Sequence, residues 1–235
     1  MDQDLGRYRP RGPSAVRLVW VFPDLLSTYG DRGNLLVLAR RARLRGLEVE
    51  IAEVNSDQQV PVDGDIYLLG GGEDLPQILA ARRLAAGGGL AAAARHGAVI
   101  FAVCAGYQIM GTEFGGAEGE PVPGLGLLDI RSSRGERRGV GEITAEVDPA
   151  LGVERLTGFE NHQGVTRRAR RRSRWPRWSP VSATGTGPKA RTAAGWSAPT
   201  CTGPRLSAIR AWPTCCSAGW SARCRRWTPG RRISC

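Results

Sequence analysis

The chain has 235 residues, 41% of them hydrophobic, with 33 Lys and Arg against 22 Asp and Glu. That length suits one sizeable α/β domain or two small ones, and the lack of any run of 18 apolar residues excludes a membrane-spanning helix. A formal net charge of +11 would suggest a polyanionic partner, but residues 1–165 hold 17 Lys and Arg and 22 acids, while residues 166–235 hold 16 Lys and Arg and no acid, so the basic character belongs to the last 70 residues alone.

Residues 1–14 read as an N-terminal extension. Acids and prolines stand where a signal peptide needs an apolar run, so a cytoplasmic location is expected and the six cysteines are expected to stay reduced. AVRLVWVF, 15–22, is β-branched and apolar with no helical period, which predicts a buried strand. Asp31 is placed to cap the helix that follows. NLLVLARRARLRG, 34–46, puts Leu35, Leu38, Ala39 and Ala42 on one face and stops at Gly46. EVEIAEV, 48–54, alternates as a strand. DIYLLGGG, 65–72, is a strand running into three glycines. Residues 76–97 predict one or two helices interrupted by Gly87–Gly89. AVIFAVC, 98–104, is the most apolar strand and is therefore expected at the sheet centre. CAGYQIMG opens a further helix. GLGLLDI, 124–130, and GEITAEV, 141–147, predict shorter strands joined by a basic loop, RSSRGERRGV. The order is that of an α/β fold with a largely parallel sheet.

The composition then breaks near residue 166. Of the 70 residues that follow, only Val181, Lys189, Leu206, Ile209 and Ile233 have a codon with neither G nor C in second place, against 85 of the first 165. Five of six cysteines and six of seven tryptophans also lie there. A GC-rich gene carries G and C in its third codon positions, and a one-base shift of frame moves them into second place. Residues 166–235 are therefore read as an out-of-frame, disordered tail. Shifting the frame under Pro199–Pro204 permits Tyr-Leu-His-Gly-Pro, the third residue being restricted to His or Tyr. A basic nucleic-acid-binding arm with stacking tryptophans is the alternative reading.

Sites in parallel α/β sheets lie at the carboxyl ends of the strands, and here two such ends carry chemistry, Gly70–Gly72 and Cys104. A strand, a nucleophile and a helix in immediate succession form an elbow, whose neighbours must be small; Ala102, Ala105 and Gly106 are. The helix dipole is expected to lower the Cys104 thiol pKa, and the Ala105 N–H to face a developing oxyanion. The competing reading makes Cys104 a small buried hydrophobe at the end of a core strand.

LGGGEDLPQ (69–77), AVCAGYQIMG (102–111), LLDI and GFENHQG (158–164), with YGDRGN near the N-terminus, resemble class I glutamine amidotransferases of the cobyric-acid-synthase-like branch, and in particular the glutaminase subunits of lipid II isoglutaminyl synthases. The resemblance covers residues 15–165. It implies a flavodoxin-like three-layer domain that lacks its C-terminal part, and hydrolysis of L-glutamine through a cysteinyl thioester. It also implies a heterodimer with a Mur-ligase-like partner subunit (MurT), which uses ATP and Mg to amidate D-glutamate of lipid II, and no cofactor, metal or specific nucleic acid in this subunit. Residue by residue, Cys104 matches the nucleophile and Arg138, beside Arg137, the arginine that binds the substrate; Gly71 and Gly72 match the loop at the oxyanion. Ala102 stands where the elbow usually has glycine. The family's catalytic histidine lies in a Tyr-Leu-His-Gly-Pro motif that this chain, as written, lacks. His162, in FENHQG, is expected near the site as a hydrogen-bonded loop residue. His96 is expected at a helix C-terminus, at the far end of the sheet.

Overall fold

The computed structural model describes residues 14–28, 31–146, 155–168, 182–183 and 194–197. The N-terminal extension and most of the tail, with the expected disorder and shifted frame, lie outside the described residues.

The chain forms β1 (Ala15–Val21), α1 (Arg32–Leu44), β2 (Glu48–Val54), β3 (Ile66–Leu69), α2 (Asp74–Gly87), α3 (Gly89–Arg95), β4 (Val99–Val103) and α4 (Ala105–Ile109). There follow β5 (Glu113–Gly115), β6 (Pro121–Pro123), β7 (Ile130–Glu146), β8 (Arg155–Arg168), β9 (Ser182–Ala183) and β10 (Ala194–Ser197). The main sheet has the order β10-β4-β3-β1-β2, parallel except where β10 joins β4. Alternation along its strands sends Val16, Leu18, Trp20, Ile66 and Leu68 to one face, where they pack with Leu35, Leu38, Ala39 and Ala42 of α1. Val19, Val21, Tyr67, Leu69, Ile100 and Ala102 belong to the other cluster, with Ala80 and Leu84 of α2 and Leu90 of α3. The result is the three-layer α/β arrangement expected. Each fully buried Leu contributes about 1.5–3 kcal/mol. No helix among the described residues is long and apolar enough to cross a membrane.

Three expectations are corrected here. The mid-sheet strand is β3, four residues all buried, and β4 lies one place outward. Strand β3 is short enough that its apolar count conceals its position. The basic stretch 131–140 is not a loop: it is strand, part of a single 17-residue β7 whose ladder with β8 shifts register between Arg134 and Gly139. A bulge absorbs the extra residues, so charge and glycine do not end the strand. Of 124–130, only Ile130 is strand, whereas Glu113–Gly115 and Pro121–Pro123 pair as a small hairpin. The helical break is where it was expected: Gly88 closes α2 with φ 65°, a left-handed conformation that favours glycine.

Candidate active site

Cys104 follows directly on β4 and sits at the N-cap position of α4 with φ 52° and ψ −115°. Among the described residues only Phe22 is another non-glycine with positive φ, and it too ends a parallel strand, β1. Such backbone costs on the order of 1–3 kcal/mol and persists where surrounding packing enforces it. Here Ala102 and Ala105 are buried, and a Cβ on Gly106 would lie 2.7 Å from the Leu69 Cβ, so α4 can approach the end of β3 only because residue 106 is glycine.

The thiol is half-buried and not in a disulfide. Its pKa is raised, against the expectation from the helix dipole. Burial is the main cause; the Ala105 N–H opposes it, and the Asp31 and Glu73 carboxylates add to it. Helix α4 has five residues, too short for its dipole to outweigh desolvation and two negative charges. At neutral pH the resting group is the thiol, and a base has to remove its proton.

The glycine loop is held at successive peptides. The Gly70 carbonyl accepts from the Gly106 N–H at 3.0 Å, tying the loop to the first turn of α4. The Gly71 N–H donates to Asp31 Oδ2 at 2.9 Å and the Gly71 carbonyl accepts from the Thr28 N–H at 3.2 Å. Gly71, matched with Gly72 to the loop at the oxyanion, gives its own N–H to Asp31. A trans peptide points its N–H opposite to its carbonyl. The Gly72 N–H, in the same peptide as the Gly71 carbonyl, therefore points away from Thr28.

Asp31 itself differs from expectation. It occupies the N-cap position of α1 but makes no side-chain cap bond. Its carboxylate is turned inward, 6% exposed, onto the glycine loop. The Asn34 N–H is satisfied by the Asp31 backbone carbonyl instead.

Hairpin β7–β8 reaches the elbow helix. A Cβ on Gly164 would lie 2.9 Å from Gln108 Nε2, and Gln108 Oε1 accepts from Gln77 Nε2 at 2.9 Å. Gln77 is buried in α2. Gln108 is the fourth residue after Cys104 and its N–H donates to the Cys104 carbonyl at 3.1 Å. Neither glutamine was singled out from the sequence; Gln108, one turn beyond the nucleophile, was the available signal. Arg138 is exposed within the β7 irregularity, and its Nε donates to Asn161 Oδ1 at 2.8 Å, so the structure brings Arg138 to the FENHQG stretch on β8. Arg137 is exposed beside it. His162 is half-buried, with Nδ1 2.8 Å from the Gly164 carbonyl. His96 is the exposed C-cap of α3. The five residues of β4 separate it from Cys104 by roughly 16 Å of strand, so it is not brought to the elbow. No group of three or more His, Cys, Asp or Glu suited to a metal occurs among the described residues.

Residues 17–196 match the CobB/CobQ-like glutamine amidotransferase domain, a stretch that includes both the glycine loop and the elbow. The chain is 35% identical over 145 residues to a protein of Staphylococcus aureus named lipid II isoglutaminyl synthase (glutamine-hydrolyzing) subunit GatD, covering 61% of this chain and 58% of that one. It is 30% identical over 157 residues to the GatD subunit of Streptococcus pneumoniae, covering 66% and 60%. A cobyric acid synthase of Xanthobacter autotrophicus is 34% identical over 127 residues, covering 50% of this chain and 25% of its own length. The chain thus spans about three fifths of the length of the two GatD relatives.

Proposed function

Because the chain belongs to the CobB/CobQ-like glutamine amidotransferase domain family, we propose that it descends from, and retains the nucleophile of, a glutaminase subunit of lipid II isoglutaminyl synthase. The observation that carries this reading is Cys104 at φ 52° between β4 and α4, whose Gly106 packs on and bonds to the start of a glycine loop. In that role the Cys104 sulfur attacks the side-chain amide carbon of L-glutamine. The negative charge that develops on the amide oxygen is met by the Ala105 N–H and the Gly72 N–H. Collapse of the adduct breaks the C–N bond and, with a proton supplied, releases ammonia; water then cleaves the thioester to glutamate. Arg138 supplies a guanidinium for the substrate α-carboxylate, held in place by Asn161. The ammonia passes to a Mur-ligase-like partner subunit (MurT), which binds ATP and Mg and amidates the D-glutamate of the lipid II stem peptide.

Three proton movements need a general base and its conjugate acid: the base activates a thiol whose pKa is raised, its protonated form protonates leaving ammonia, and the base again activates water. His162 is engaged with the Gly164 carbonyl, and His96 caps a helix at the opposite edge. The chain as written is therefore expected to be modified at Cys104 by a glutamine-mimicking electrophile but to turn glutamine over at a small fraction of the rate of a frame-restored chain carrying Tyr-Leu-His-Gly-Pro. The test compares glutamate production by both chains, with and without the partner subunit. Equal turnover would promote His162 to the base. Partner binding without Cys104 modification would favour a purely docking subunit, a reading that the missing histidine supports.

A further inference from the structure

Most of the chemistry-bearing side chains outside the elbow have an evident structural task. Arg17 meets Asp63, and the Tyr67 hydroxyl lies between the Gly64 N–H and the Pro61 carbonyl. Asp31 does not fit such a task. It stands at a helix N-cap without capping, and its carboxylate is nine-tenths buried beside the candidate nucleophile. Burying a carboxylate is costly unless it receives hydrogen bonds, and the Gly71 N–H at 2.9 Å supplies one. A Cβ on Gly70 would collide with the Asp31 carboxylate and with the Leu26 carbonyl, so the loop lies directly on this side chain.

We propose that Asp31 is a positioning residue, whose carboxylate holds the Gly71 N–H and thereby orients the next peptide so that the Gly72 N–H serves the oxyanion. This rests on the glutaminase reading above. Three bonds fix the loop. The Gly70 carbonyl is anchored to Gly106 of α4, the Gly71 N–H to Asp31, and the Gly71 carbonyl to Thr28. With its neighbour locked on both sides, the Gly71–Gly72 peptide has one orientation, and its N–H is directed away from Thr28. Removing the Asp31 acceptor frees the Gly70–Gly71 peptide to rotate, and glycines on either side offer little resistance. The same carboxylate faces the thiol together with Glu73, so it holds the nucleophile protonated until substrate and base are present.

The test uses two electrophiles on the full chain. Iodoacetamide, followed by mass on the peptide that carries Cys104 so that the five cysteines of the tail do not count, reads the reactivity of that thiol without the oxyanion donors. The chloroketone analogue of glutamine also presents a carbonyl oxygen to the oxyanion donors; Cys104 sulfur forms the C–S bond, chloride leaves and the thiol proton goes to solvent. Compared at the high-pH plateau, where the thiol is ionised in every variant, Asp31→Ala and Asp31→Ser should slow chloroketone labelling by about tenfold or more. Serine is a favoured N-cap, so the second variant keeps α1 folded while its short hydroxyl no longer reaches Gly71. Asp31→Asn, whose amide oxygen still accepts the Gly71 N–H, should stay within about threefold of the parent. All three variants should move the midpoint of iodoacetamide alkylation to lower pH, leaving its high-pH plateau unchanged, because one of two carboxylates facing the thiol is gone. Equal chloroketone rates in parent and Asp31→Ser, or an Asp31→Asn as slow as Asp31→Ser, would overturn the positioning role alone. A parent that iodoacetamide labels and the chloroketone does not would overturn the glutaminase reading and the role that depends on it.

Discussion

The two edges of the parallel sheet treat their polar side chains in opposite ways. At the amino edge Arg17 Nη1 meets Asp63 at 2.6 Å, the Arg17 N–H meets Asp65, and the Tyr67 hydroxyl donates to the Pro61 carbonyl at 2.6 Å while accepting from the Gly64 N–H. Each group is matched to a complement, and the backbone there is relaxed apart from glycine turns. At the carboxyl edge Phe22 and Cys104 are held at positive φ, a carboxylate is buried against a glycine loop, and two negative charges face a thiol. Among the described residues, non-glycine backbone at positive φ occurs at the carboxyl edge only. That asymmetry is what locates a reactive site in such a fold, since conformational strain persists where packing overrides it.

The contrast can be broken most completely with Cys104→Ala, which should abolish the chloroketone adduct that glutamine protects, read by peptide mass against the five tail cysteines as background, while leaving the unfolding free energy within about 0.5 kcal/mol of the parent. Tyr67→Phe attacks the opposite edge. It leaves the Gly64 N–H without its acceptor and should cost about 1–3 kcal/mol in urea unfolding while Cys104 labels at the parent rate. Tyr67 also predicts an alkaline limit. Burial pushes its pKa up to about 12 from the ordinary 10.0, so the unfolded chain loses that proton first. Stability from this group is intact below pH 10 and falls as pH rises toward 12, a slope that Tyr67→Phe should remove. A smaller gain is expected from Cys104→Gly, which keeps the fold, relieves the positive φ and should stabilise by about 1 kcal/mol. His96→Ala should change neither labelling nor stability measurably, because an exposed helix end away from the elbow contributes to neither. A measurable loss of labelling in that variant would contradict the separation of the two edges.

Much of the first 130 residues was legible in the sequence. The buried face of α1 is the one its spacing requires, the Gly88 break divides two helices, and Cys104 lies at an abrupt strand-to-helix junction with small neighbours. These features are local: period, punctuation and residue size act within a turn or a strand. Less legible were strand position in the sheet, the continuity of β7 through five charged residues, and the inward turn of Asp31. Those depend on partners far along the chain. A bulge is read from the opposing strand, and an aspartate before a helix caps it unless a distant N–H competes more strongly.

The sequence by itself therefore determined that an abrupt strand-to-helix junction exists and which cysteine it carries, because these rest on residue identity and adjacent spacing. Only the tertiary structure decided how the elbow is tuned. It left the thiol half-buried within the field of two carboxylates, spent the Gly71 N–H on Asp31 forty residues away, and set Gln108 of α4 against Gly164 of β8. Electrostatics and hydrogen-bond direction depend on what lies within a few ångströms in space, and along this chain those neighbours are tens of residues apart.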